Sequence, residues 1–147
     1  MYVANKLGRN CFQYFTTSMQ EDAMSRMTLI NDLRFALPQE EFKLYYQPII
    51  SLVDNSIHKA EALIRWQHPT RGLVSSVAFI PVAEETGMII DIGDWVFRQA
   101  VQQSALWRTV LHPDFQISVN TSPAQYLNVD FSVTSWLDHL QSLGVSG

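Results

Sequence analysis

Only one cysteine, Cys11, occurs in the 147 residues, so no intrachain disulfide is available. A reducing, cytoplasmic compartment is therefore the expectation, with Cys11 itself a small, unreactive side chain. Charge is scarce as well. Charged residues make up 16% of the chain, the net charge is -4 and the pI is near 5.4. That balance leaves no basic footprint for DNA, RNA or an anionic membrane surface. A small anionic ligand is still admissible, because a few placed arginines and a metal ion override the net sign locally. No apolar run approaches the roughly 20 residues that cross a bilayer, and the N-terminus lacks a signal-peptide core. No glycine-rich phosphate loop, Ser/His/Asp set or zinc pattern appears. His58, His68, His112 and His139 have no metal-ligand spacing.

What remains is apolar and patterned. Hydrophobic residues make up 47% of the chain, enough for one domain with a real core. Near the N-terminus Gly8 suits a helix cap, and Cys11 to Phe15 alternate as in a brief strand. A helix is expected over 21–37. Leu29, Leu33 and Leu37 lie four apart, Met24, Met27 and Ile30 widen the stripe, Ser18 and Glu21 offer a capping box, and Pro38 stops it. This segment reads as a linker helix.

Strands and helices then alternate. Over 42–52, Phe42, Leu44, Tyr46, Ile50 and Leu52 face one way and Tyr45, Gln47 and Ile49 the other. Asp54 and Asn55 make a turn into a second strand over 57–66. A loop at 69–72 leads to a short helix over 78–86, ended by Gly87, and a longer one over 91–110. A third strand is expected over 115–120, with Phe115, Ile117 and Val119 toward covering helices and Gln116, Ser118 and Asn120 facing away. A last helix spans 130–143 and ends at Gly144. Strands separated by helices indicate an α/β fold, and a polar face near a strand's C-terminal end favours a barrel. A complete barrel of that kind needs about 250 residues. The expectation is therefore an incomplete TIM-like (β/α) barrel of about three strands.

The second strand carries the chemistry. Lys59, Glu61, Leu63 and Arg65 share one face by period-two alternation. Glu61 offers an oxygen ligand to a hard divalent cation, and Arg65 offers a bidentate fork to a phosphate. An exposed Glu61–Arg65 ion pair is the competing reading. Asn120 either joins a cation's coordination shell or caps the next helix. Gln47, before Pro48, either donates to a ligand or holds a turn. Glu84 and Glu85 near a helix C-terminus either brace a site or lie on a solvated face. Trp66, Trp95, Trp107 and Trp136 read as core or interface residues.

Taken in order, these residues form a pattern. Tyr45-Tyr46-Gln47-Pro48-Ile49 precedes Glu61-Ala62-Leu63-Ile64-Arg65-Trp66, His68-Pro69 and Gly72. Phe79-Ile80-Pro81-Val82-Ala83-Glu84-Glu85-Thr86-Gly87 and Val119-Asn120-Thr121-Ser122 follow. The set closely resembles the EAL domain of bacterial cyclic-di-GMP phosphodiesterases. The resemblance implies a modified TIM barrel that hydrolyses cyclic di-GMP to linear pGpG with Mg²⁺ or Mn²⁺. It places Glu61 and Asn120 on metal, and Gln47, Leu63 and Arg65 on substrate, with His68 a structural loop residue. It also implies a later metal-binding Glu, a paired-Asp motif and a Lys, all downstream of Gly147. The chain is thus expected to be the front half of the domain and inactive alone. The alternative is a degenerate EAL module that binds the nucleotide or a protein partner without catalysis. A homodimer through the EAL domain, with shared strands covering open edges, is a further expectation.

Met1-Tyr2, Ala4-Asn5-Lys6 and Gly8-Arg9-Asn10 are similar to the end of a GGDEF diguanylate cyclase domain. On that reading 1–17 is a GGDEF remnant, 18–38 the linker helix and 39–147 the front of the EAL domain.

Overall fold

The strongest alternation in the sequence becomes the middle of the sheet. In this computed structural model, which describes residues 17–129 and 131–145, the order of elements begins α1 (Thr17–Ala36), β1 (Phe42–Ile50), β2 (Ile57–His68) and β3 (Gly72–Val74). It continues α2 (Ser76–Thr86), α3 (Ile89–Val110), β4 (Gln116–Val119), α4 (Pro123–Tyr126) and α5 (Val133–Ser142). The GGDEF-like segment, with Gly8 and Cys11, lies outside the described residues.

β1 and β2 form an antiparallel hairpin in which Phe42 faces Trp66, Tyr45 faces Leu63 and Gln47 faces Glu61. Its turn needs a left-handed residue, which Asn55 supplies at φ 57°. The Ser56 amide donates to Asp54 Oδ1 at 3.2 Å. Hydrogen bonds from Ser51 and Ser56 hold the exposed Asp54 carboxyl down at about 2. On the other edge of β2, β3 and β4 pair end to end. β4 runs parallel to β2, with Glu61 opposite Ser118 and Ala62 opposite Val119. Parallel neighbours need a crossover, and α2 and α3 provide it.

The helices cover one face of the sheet. Phe42, Ala60, Ala62 and Trp66 are buried there, and Phe79, Val82, Ala83, Ile89, Ile92 and Val96 pack from α2 and α3. Trp66 is fully enclosed. Its ring lies 5.7 Å from Phe79 at 81° and 6.1 Å from Phe42, and its Nε1 donates to Glu41 Oε2 at 2.7 Å. Such a satisfied indole contributes apolar area with no unpaired donor. His68 is held in place by the fold, but as the last residue of β2 rather than in a loop. Its Nδ1 accepts from the Thr70 and Arg71 amides at 3.2 Å, and its Nε2 lies 3.1 Å from Asp32 of α1.

Several boundaries differ from expectation. α1 is already helical at Thr17, so Ser18 lies inside the helix rather than at an N-cap before Glu21. No proline or glycine lies between Thr17 and Glu21 to break the helix there. Only its C-terminal half meets the core: Leu33 and Ala36 are buried, whereas Met24 and Met27 stay about two-thirds exposed, at 66% and 68%. β1 ends at Ile50 because the Ser51 amide turns to Ser56 O, leaving Leu52 in solvent. β3, too short to show a period, folds back on Trp66 to His68. α5 starts at Val133, where Ser132 Oγ accepts from the Ser135 amide at 3.3 Å.

Candidate functional site

Because β2 alternates, the face opposite the helices carries Lys59, Glu61, Leu63 and Arg65. Cross-strand register adds Lys43, Tyr45, Gln47 and Ile49 from β1, and Gln116 and Ser118 from β4. Lys43, Lys59 and Arg65 stand on this face against one carboxylate, Glu61. An acidic chain thus presents a locally cationic surface.

Asn120, immediately past β4, reaches Glu61. Its Nδ2 donates to Glu61 Oε1 at 2.7 Å. That contact decides two open readings. Glu61 does not pair with Arg65, whose Nη1 instead donates to Ile64 O at 3.0 Å. Asn120 does not cap the next helix, because Ser122 does: its Oγ accepts from the Ala124 amide at 3.2 Å, and the Ser122 amide donates to Gln125 Oε1 at 2.9 Å. This reciprocal cap satisfies two helix-end donors and sets the turn that carries Asn120. Ser122 Oγ also donates to Glu84 Oε1 at 2.7 Å, so Glu84 braces the turn from α2. Glu85 points elsewhere and pairs with Arg26 of α1.

A cavity of about 230 Å³ opens beside this cluster. Leu63, Arg65, Asn120 and Thr121 line its rim, and Ile80, Ile92 and Val96 line its apolar wall. Leu63, Arg65 and Asn120 therefore border one space, with Glu61 joined through Asn120. Gln47 stands outside that lining, opposite Glu61 on β1.

Glu61 and Asn120 fit a hard divalent cation by donor type. Their hydrogen bond uses Nδ2 and Oε1 and leaves the amide Oδ1 and carboxylate Oε2 as oxygen ligands. Two such donors fall short of an octahedral shell. Among the described residues no three His, Cys, Asp or Glu side chains group to hold a metal. In the sequence Ser122 stood only as the end of the Val119-Asn120-Thr121-Ser122 motif, not as a cap, and neither Gln125 nor Gly93 was singled out. The Ser-x-x-Gln spacing at 122–125 was the available signal for the cap.

Comparison with known proteins gives a consistent picture. The EAL domain family model matches residues 30–145, starting within α1. The chain is 40% identical over 126 residues to the bifunctional diguanylate cyclase/cyclic di-GMP phosphodiesterase MucR of Pseudomonas aeruginosa, covering 86% of this chain and 18% of that protein. It is 38% identical over 125 residues to the cyclic di-GMP phosphodiesterase PdeR of Escherichia coli, covering 85% of this chain and 19% of that protein. The solved MucR phosphodiesterase in complex with cyclic di-GMP superposes with a TM-score of 0.74 at 37% identity. That match covers 80% of this chain and 47% of the solved one. The chain thus spans less than a fifth of these curated relatives and about half of the solved domain.

Proposed function

This chain belongs to the EAL domain family, and from that premise we propose that it forms the front half of a metal-dependent cyclic-di-GMP phosphodiesterase site. Glu61 and Asn120 hold a Mg²⁺ or Mn²⁺ ion, and Gln47, Leu63 and Arg65 hold the dinucleotide. The observation that carries this is the Asn120–Glu61 contact at the rim of a cavity that Arg65 also lines.

The roles follow from chemistry. Arg65 offers its guanidinium to a non-bridging phosphate oxygen, and Lys43 and Lys59 on the same face favour an anionic ligand electrostatically. Leu63 and the apolar wall exclude water beside the phosphodiester. Gln47, opposite Glu61, presents an amide that donates to or accepts from the nucleotide. Bound divalent ions, in this chemistry, activate a water and neutralise charge on the phosphodiester. Glu61 and Asn120 supply two donors to that arrangement, too few for a two-metal site.

The 147-residue polypeptide alone should therefore form no pGpG from cyclic di-GMP with Mn²⁺. A chimera tests the site directly. Residues 30–145 would replace the matching segment of the MucR phosphodiesterase domain, with pGpG read by chromatography. The chimera should hydrolyse cyclic di-GMP, and Glu61→Gln or Asn120→Ala in it should not. An unaltered rate in both variants contradicts the metal assignment. Binding without cleavage by a well-folded chimera supports the degenerate, binding-only module instead.

A cytoplasmic location accords with the single cysteine and with a soluble nucleotide ligand. No described helix is long and apolar enough to cross a membrane. β1 and β4 each keep one unpaired edge among the described residues, and a homodimer covers such edges. Sedimentation as a compact monomer would set that pairing aside.

A further inference from the structure

The Asn120 turn is fastened from behind by a buried residue that lines the same cavity and makes no hydrogen bond to Glu61. Gln125 is 1% exposed, and its Oε1 accepts from the Ser122 amide at 2.9 Å. Because an amide N–H needs an acceptor, that bond fixes which way the Gln125 side chain points. Its Nε2 then turns toward α3, where it has no partner among the described residues. There it lies over Gly93: a Cβ on that residue would fall 2.1 Å from Nε2 and 2.6 Å from Cδ. The glycine is thus the space that Gln125 occupies.

Stability alone gives no reason for this arrangement. A buried amide with one unpaired donor is less favourable than a methionine of the same length filling the same space. What methionine lacks is the acceptor for Ser122, two residues from Asn120. We propose that Gln125 is a positioning residue, seated on Gly93, that holds the 120–122 turn so that Asn120 stays within reach of Glu61. Ser122 is gripped from two sides, by Gln125 at its amide and by Glu84 of α2 at its hydroxyl. Asn120 is thereby registered to the helix layer.

The inference rests on reading Glu61 and Asn120 as cation ligands, and the test separates the two. NMR on the 147-residue chain would follow hydrogen exchange of the Asn120 side-chain amide without metal, and the Mn²⁺ concentration that half-broadens signals around Glu61. In Gln125→Met the Asn120 amide should lose its protection, and the Mn²⁺ midpoint should rise about tenfold or more, as for other residues that orient a metal ligand. Gly93→Ala, which displaces the Gln125 side chain without removing a polar group, should act in the same direction. Wild-type protection and an unchanged midpoint in both folded variants would overturn the proposal. Glu61→Gln is the control. If it leaves the midpoint unchanged, the cation reading fails, while the metal-free exchange of Asn120 still judges Gln125. If it shifts the midpoint and the Gln125 and Gly93 variants do not, the positioning role alone fails.

Discussion

The two faces of β2 are the same strand under opposite demands. Toward the helices it presents Ala60, Ala62 and Trp66, all buried, with Trp66 enclosed by Phe42 and Phe79. Toward the other side it presents Lys59, Glu61, Leu63 and Arg65, and none of these is buried. One face removes apolar area from water, which holds the fold together. The other keeps a carboxylate, cations and an amide partner accessible, which suits ligand chemistry. Alternation lets twelve residues serve both ends, so substitutions one position apart should have unlike consequences.

The largest expected effect lies on the packed face. Trp66→Ala should cost about 3–5 kcal/mol through the cavity it leaves, whereas half-buried Leu63→Ala should cost about 1 kcal/mol. Urea melts of both variants check this, and equal losses would erase the distinction between the faces. Next comes Glu61→Gln, which should leave the melting curve near wild type while raising the Mn²⁺ midpoint at least tenfold.

A smaller effect belongs to the α3–α5 contact. Burial pushes the Asp94 carboxyl up, but hydrogen bonds from Arg98 and Trp136, with the nearby charges of Arg98 and His139, pull it down further. The net direction is below the usual carboxylate range. A lowered folded-state pKa contributes stability above the unfolded value, near 3.8, and that stability is lost as pH falls through the folded value. Acid titration should therefore loosen α5 below about pH 4, and Asp94→Asn should remove that step; because the carboxylate is partly exposed and screened by solvent, the cost at neutral pH should stay below about 1 kcal/mol. Fluorescence of Trp136, whose Nε1 donates to Asp94 at 2.9 Å, reports it. An acid step of equal size in Asp94→Asn would contradict the assignment. Smallest of all, Leu52→Ala, at 93% exposed, should shift stability by less than about 0.5 kcal/mol.

The shared face was legible in the sequence because period two needs only local spacing: Glu61, Leu63 and Arg65 follow from counting. Asn120 was legible as a position but not as a contact. Whether it caps a helix or meets Glu61 depends on Ser122, which takes the cap, and on β4 lying parallel beside β2. The Glu61–Arg65 pairing was undecidable for the same reason, since side chains two apart on a strand compete with cross-strand partners. β3 offers three residues, too few for a pattern. Met24 and Met27 extend the apolar stripe of α1 beyond the part that packs, so spacing overstated its buried length. The Gly93–Gln125 contact joins residues 32 apart and leaves no local trace.

The account stands on Glu61 and Asn120 sharing one cation. Anomalous diffraction from crystals of the chain grown with Mn²⁺ tests it most directly. The expected result is a manganese peak about 2.1 Å from a Glu61 carboxylate oxygen and from Asn120 Oδ1. Glu61 and Asn120 turned to separate surfaces, with no peak between them, would contradict it.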